Sequence, residues 1–460
     1  MRREQWVALV TLFLLQIFVV AAGAHLLTSD VLVKGESAER AMSAAPPPVP
    51  VITAGPVLAA GGNGPLPAKG TLAGRLTEAL GDPALGGNVG ATVIDAETGA
   101  VLFGSHGTKG ITPASTTKVV TAVASLASLG PDARLSTRVV RGSAPGSIIL
   151  VGGGDPTLAS PRTAASQVYP KPASLATLAS RTARALAAAG TSKVTVAYDD
   201  SLYMGPRTAV SWKPGYVPEG SVAPVTALMV DEGRISRGGQ RASDPSRAAH
   251  AAFVSLLSKY GVTVSKSAKR SKAPAGAKEI ARVESAPVYA LAERALTLSD
   301  NDLSEALARH VAIKEGEPAS FDGGAAAVGK VLARLGAEKG VLVFDGSGLS
   351  PRNRITPQAL AHLVAVAASP ANPGLNPIAS GMPVAGFSGT LGHRFDKIRS
   401  AHGLVRAKTG TLDGVNTLAG MATTRGGRLL TFAFMADEVP PGWGKAEAAL
   451  DRLAAVVAAS

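Results

Sequence analysis

Three short motifs, far apart along the chain, restrict its fold more than any other feature: Ser115-Thr116-Thr117-Lys118, Ser299-Asp300-Asn301 and Lys408-Thr409-Gly410. Alone, each is weak; a Ser-x-x-Lys arises by chance about once or twice in a chain of this length, and Lys-Thr-Gly is common at turns. Each occurs here once, in the order found in an active-site serine acyl-transferase whose base is a lysine. A fold that uses them must bring all three to one cleft.

The residue types suit that chemistry. A serine hydroxyl is a poor nucleophile until a neighbour takes its proton. Ser115 opens an apolar-periodic stretch to Leu129, so Ser115 and Lys118, three apart on a helix, share a face. The amine becomes a base once its ammonium form is disfavoured, and a helix N-terminus, burial and a second cation, Lys408, each push its pKa down. None of the seven histidines is required, and there is no Gly-x-Ser-x-Gly elbow to recruit one. Ser299 and Asn301, just before a helix, can reach one cleft: Ser299 to relay a proton to the leaving group, Asn301 to bond the substrate amide and steady Lys118. Lys408 is expected at a strand end, where Gly410 lets the backbone approach a substrate closely. The Lys408 ammonium and Thr409 hydroxyl can hold a carboxylate, and the N–H groups of Ser115 and Thr411 can form an oxyanion hole. Taken singly, the first two motifs read more simply as capped helix starts and the third as a strand ending in a turn.

The chain has 460 residues, more than one core usually serves, and 46% hydrophobic with 17% charged residues suits a folded protein. Cysteine is absent, which excludes disulfides, thiol catalysis and cysteine-type zinc sites. No His/Asp/Glu spacing resembles a ligand set, so neither metal nor cofactor is expected. The net charge of +13 favours anionic neighbours. Scattered basic residues and 4% aromatics argue against nucleic acid, and the densest cluster, Lys266, Lys269, Arg270 and Lys272, reads as a solvated loop.

Arg2 and Arg3 precede an uncharged run, Gln5 to Ser29, long enough to cross a bilayer core of about 30 Å as a helix. Residues 1–40 are therefore expected to be a membrane anchor or a signal cleaved after Ala22-Gly23-Ala24, exporting the rest. Residues 41–70, rich in Pro, Ala and Gly, read as a spacer. Beyond it, Asn88 to Asp95 and Val101 to Phe103 form a hairpin around Ala96-Glu97-Thr98-Gly99. The middle stretch carries strands near Ser147–Val151 and Lys193–Tyr198 and a helix near Leu175–Ala189, with no catalytic motif. Helices are expected over Ala286–Leu298 and Leu303–Lys314, antiparallel strands over Gly403–Lys408, Thr417–Thr423 and Arg428–Ala436, and a last helix over Lys445–Ala458.

Taken together, the motifs resemble those of the low-molecular-mass class C penicillin-binding proteins, the D-alanyl-D-alanine carboxypeptidase/endopeptidase (peptidase S13-like) family. Further similar stretches are Gly152-Gly153-Gly154-Asp155-Pro156, Asp345-Gly346-Ser347-Gly348-Leu349-Ser350 with Arg352-Asn353-Arg354, and Pro383-Val384-Ala385-Gly386 leading to Gly389-Thr390-Leu391. The resemblance spans about residues 71 to 455. It implies an α/β (α+β) transpeptidase/β-lactamase-like domain, an antiparallel sheet covered by helices, built from residues 71–140 and 285–460, with inserted smaller domains over 141–284. It implies a serine DD-peptidase that forms an acyl-enzyme on Ser115, acts on peptidoglycan stem peptides ending in D-Ala-D-Ala, and is acylated by β-lactams. Asp155 is implied as a contact for the stem's free amine, against the alternative of a turn residue before Pro156; Asp345 and Ser347 read as turn residues. Carboxypeptidase and endopeptidase activity stay unseparated at this point. A serine β-lactamase and a non-catalytic wall-binding protein are the rival readings; the first lacks a class A-type Glu loop, the second is at odds with the intact Ser115, Lys118, Ser299, Asn301 and Lys408.

Overall fold

A computed structural model describes residues 64–163, 168–236, 239–442 and 444–460, leaving out the side chains of 266–268. The expected anchor and most of the expected spacer lie outside them. Among the described residues no helix is long and apolar enough to cross a membrane.

The chain runs α1 (Lys69–Leu80), β1 (Asn88–Asp95), β2 (Val101–Ser105), α2 (Thr117–Leu129), β3 (Ser136–Arg141), β4 (Ser147–Val151), α3 (Leu175–Ala188), β5 (Lys193–Asp199), α4 (Pro245–Lys259), β6 (Thr263–Arg270) and β7 (Glu279–Glu284). It continues through α5 (Val288–Thr297), α6 (Asn301–Lys314), α7 (Phe321–Arg334), β8 (Val341–Leu342), β9 (Arg354–Ile355), α8 (Pro357–Ala368), α9 (Pro377–Gly381), β10 (Val405–Leu412), β11 (Val415–Thr423), β12 (Leu429–Asp437) and α10 (Lys445–Ala458).

The first sheet, ordered β10-β11-β12-β1-β2, is antiparallel throughout. Successive side chains of a strand point to opposite faces, so a sheet covered on both sides reads as an unbroken apolar run. β12, Leu-Leu-Thr-Phe-Ala-Phe-Met-Ala-Asp, is such a run. Phe432 and Phe434 pack with Leu72 and Leu76 of α1 and Leu450, Leu453 and Val457 of α10. Ala433 and Met435 join the opposite cluster, with Val119 and Val123 of α2, Leu303 and Leu307 of α6, and Leu360 and Val364 of α8. Burying α2 from one side against this sheet is what brings Ser115 to its edge strand.

The second sheet, β6-β5-β4-β3-β7, takes all its strands from residues 136–284. β4, β5 and β6 are parallel, with α3 and α4 as the crossovers such pairing needs. Leu175, Leu178 and Leu186 of α3 and Phe253 and Leu257 of α4 cover Ile148, Leu150, Val194 and Val196. One expectation is corrected here. The basic cluster is only partly a loop: Lys266, Lys269 and Arg270 belong to β6, an edge strand, where basic residues discourage further pairing, with Arg270 matched to Asp200, while Lys272 lies in the irregular stretch beyond it.

Candidate active site

Ser115 lies in a single 3-10 turn, Ala114–Thr116, that feeds α2. Neither its side chain nor that of Thr116 caps the helix, so the plain N-cap reading fails. The turn is fixed from two sides. Thr116 Oγ1 donates to the Pro113 carbonyl at 2.6 Å, and Thr417 Oγ1 of β11 donates to the same oxygen at 2.8 Å. Ala114 has φ +47°, left-handed backbone that costs a non-glycine residue about 1–3 kcal/mol. Its carbonyl sits against Gly348, where an added Cβ would lie only 2.0 Å away.

Lys118 is 1% exposed. Its Nζ donates to Ser115 Oγ at 3.0 Å, Asn301 Oδ1 at 2.6 Å and the Ser347 carbonyl at 2.6 Å. An ammonium fills all three bonds with its three hydrogens; once the proton is lost, the lone pair can face the serine hydroxyl instead. Burial pushes the pKa down to about 8, against the upward pull of Asp345, Glu305, Asp300 and Asp302. Of the causes expected from the sequence, burial is the one that lowers it, and Lys408 does not figure. The charges that act on Lys118 are acidic, and its depression comes from lost hydration. Lys408, fully buried, is the amine held well below its usual range, by burial first and by the charge of Lys118 second.

Asn301 is the first residue of α6, and its amide is pinned at both ends, since Nδ2 donates to the Ser221 carbonyl at 2.8 Å. Asp300 does the capping, accepting from Leu303 N at 3.0 Å; burial first, then the Glu232 charge, raises its pKa to about 7. Ser299 is half-buried in the connection from α5, with φ +56°. Beside it opens a cavity of about 600 Å³, lined by Thr157, Tyr169, Asp231, Arg294, Thr297 and Leu298 among others.

Lys408-Thr409-Gly410 lies within β10, not at its end as expected. Pairing with β11 runs on to Leu412–Val415, across a turn at Asp413-Gly414. The glycine serves packing: a Cβ on Gly410 would lie 2.1 Å from Thr417 Oγ1, 2.7 Å from the Pro113 carbonyl and 3.1 Å from Ser115 N. That bare Cα lets the strand lie against the serine turn. Lys408 Nζ donates to the Thr409 carbonyl at 2.8 Å, and the Thr409 hydroxyl is bonded to that of Thr390 at 2.8 Å. Thr411 is exposed and faces Glu447.

Hydrogen bonds thus join Ser115, Lys118 and Asn301; Gly410 packs against the serine turn, and Lys408, two residues before it on β10, is buried and feels the charge of Lys118. Asp155, in the second sheet's part of the chain, makes no hydrogen bond to these residues but feels the charges of Arg294 and Glu232. Its Oδ1 closes a turn by accepting from Thr157 N at 2.9 Å and Thr157 Oγ1 at 2.6 Å, and burial raises its pKa to about 6. Its buried Oδ2 has no hydrogen-bond partner. Among the described residues one acidic group is tight enough for a cation, Glu232, Asp300 and Asp302, but Arg294 and Arg241 already answer it. Two participants escaped the sequence reading. Ser347 acts through its carbonyl, which no side-chain pattern reveals. Glu305 was visible only as an acid set one helical turn after Asn301 and one before Arg309.

Comparison with known proteins gives a consistent picture. A family described as "D-Ala-D-Ala carboxypeptidase 3 (S13)" matches residues 72–243 and 238–457. Carboxypeptidase DacB of Mycolicibacterium smegmatis is 37% identical over 99% of this chain and 97% of its own length. Carboxypeptidase Rv3627c of Mycobacterium tuberculosis is 35% identical over 88% of each. In structure, penicillin binding protein 4 (dacB) from Haemophilus influenzae is similar with TM-score 0.68 at 21% identity, over 84% of this chain and 98% of that one; its complex with a β-lactam gives 0.62 at 22%, over the same shares.

Proposed function

The chain belongs to the D-Ala-D-Ala carboxypeptidase 3 (S13) family and is a serine-type D-Ala-D-Ala carboxypeptidase, and from that premise we propose how its residues divide the work. Ser115 is the nucleophile and Lys118 the base. The observation that carries this is the 3.0 Å contact between Ser115 Oγ and a buried Lys118 Nζ whose pKa is brought down to about 8. Ser115 Oγ attacks the carbonyl carbon of the penultimate D-Ala as its proton passes to Lys118 Nζ. The tetrahedral oxyanion, held by the N–H groups of Ser115 and Thr411, collapses with rupture of the C–N bond; the departing D-Ala nitrogen takes a proton, relayed by Ser299. Water, deprotonated in turn, then releases the stem peptide from Ser115. Asn301 holds Lys118 and bonds the substrate amide, and Lys408, Thr409 and Gly410 line the end that takes the terminal carboxylate. Asp155 has an unused carboxylate oxygen to offer a stem-peptide amine.

A β-lactam, which presents an amide carbonyl in the same position, acylates Ser115. The substrate lies outside the cytoplasm, so the uncharged run from Gln5 to Ser29 serves to export the chain, held at the membrane or released.

Release of D-Ala from a synthetic peptide ending in D-Ala-D-Ala, followed alongside labelling with a fluorescent penicillin, tests the assignment. Ser115→Ala should end both while the protein melts as wild type; turnover or label surviving in that variant excludes Ser115 as nucleophile.

A further inference from the structure

Besides Asn301, a backbone carbonyl holds Lys118, and something must hold that carbonyl. It belongs to Ser347, in the loop from Asp345 to Ser350. We propose that Glu305 is a positioning residue for the Ser115–Lys118 pair, its carboxylate clamping the Gly346–Ser347 peptides so that the Ser347 carbonyl stays aimed at the Lys118 amine. This rests on the reading of Lys118 as base.

Glu305 projects from α6 one turn beyond Asn301 and is 1% exposed. Its Oε1 accepts from Ser347 N at 2.8 Å and Gly346 N at 3.1 Å, and its Oε2 from Gly346 N at 3.2 Å. The carbonyls of the same two residues face α2: Gly346 O accepts from Thr121 Oγ1 at 2.7 Å and Ser347 O from Lys118 Nζ at 2.6 Å. The Gly346–Ser347 peptide is therefore stretched between Glu305 on one helix and Thr121 on the other, and it fixes the start of the next peptide, whose Ser347 carbonyl meets Lys118. Asp345 holds the far side of the Ser347–Gly348 peptide, accepting from Gly348 N at 3.0 Å, and fixes the rest of the loop, accepting from Ser350 N at 2.7 Å, Asn353 Nδ2 at 2.8 Å and Trp212 Nε1 at 2.8 Å.

Glu305 also acts through charge. The carboxylates that favour the ammonium form of Lys118 are Asp345, Glu305, Asp300 and Asp302, with Lys408 the neighbouring cation. Glu305 in turn faces Asp345 from the loop and Arg309 from its own helix. A residue with a merely structural role would change stability; this one must also set where Lys118 titrates. Removing its negative charge makes the ammonium easier to deprotonate, so the titration moves to lower pH.

The test is the rate of acylation by a fluorescent penicillin from pH 6 to 10, with thermal unfolding in parallel. In Glu305→Gln the high-pH rate should fall at least about tenfold, because an amide N–H₂ now faces Gly346 N–H, and the half-point should move down by about half a pH unit or more. Glu305→Asp, which restores the charge but shortens the reach, should recover the half-point and not the rate. A folded Glu305→Gln with the wild-type rate and half-point overturns the proposal. Should that variant not fold, Thr121→Val loosens the same peptide with every charge in place: a lower rate at an unmoved half-point supports the clamp, and an unchanged rate overturns it. Label surviving Ser115→Ala would instead remove the underlying reading, and this proposal with it.

Discussion

At the scale of single residues, the site depends on where one lysine titrates. A lysine with a pKa near 8 has about a tenth of its population as free amine at pH 7, roughly three-hundredfold more than at its ordinary value of 10.5. Because the base form is the active one, acylation of Ser115 should rise with pH and reach half its plateau near 8; stopped-flow quenching by a fluorescent penicillin measures this directly, and a rate flat from pH 6 to 9 would contradict it. Ser115, Lys118 and Asn301, named from their motifs, are brought together by hydrogen bonds. Of the causes the sequence suggested for the lysine's shift, burial holds and the second cation, Lys408, does not figure. The cation was visible in its motif, whereas the depth of burial is a property of α2 packed against α6 and β11, which no local pattern displays.

At the scale of elements, the strand β10 and the turn before α2 touch through a missing side chain. Gly410→Ala would drive a methyl toward the Pro113 carbonyl and Ser115 N, backbone atoms that can yield only if the serine itself shifts. Acylation should drop on the order of a hundredfold, the usual cost of displacing a reacting group by about 1 Å, with far-ultraviolet circular dichroism unchanged. Wild-type acylation in that variant would show that the strand does not set the serine's place. Most elements were legible: the hairpin of β1 and β2, the helices α3 and α10 and the strand β4 announce themselves by turn residues and apolar period. Errors fell where one residue type has two uses. Gly410 was taken to end a strand and instead permits contact within it; lysines in β6 were taken for a loop and instead guard a sheet edge.

At the scale of the whole molecule, the stretch from 141 to 284 looks in sequence like an addition with no chemistry of its own. Yet its loops supply the Ser221 carbonyl that orients Asn301, the Ala223 N–H that bonds Asp302 at 2.7 Å, and the Trp212 indole that bonds Asp345. Trp212→Phe leaves a buried carboxylate short of a donor and should cost about 1–3 kcal/mol, read as a lower urea midpoint. Acylation should slow as well, since the loop carrying the Ser347 carbonyl loses an anchor; a destabilised variant that acylates normally would separate the loop from the chemistry. Three bonds formed at long sequence separation cannot be seen along a chain, which is why this contribution stayed hidden. Trimming the protein to its motif-bearing halves would therefore not yield a smaller catalyst: the shortened polypeptide would keep every reacting side chain and lose the means of aiming them.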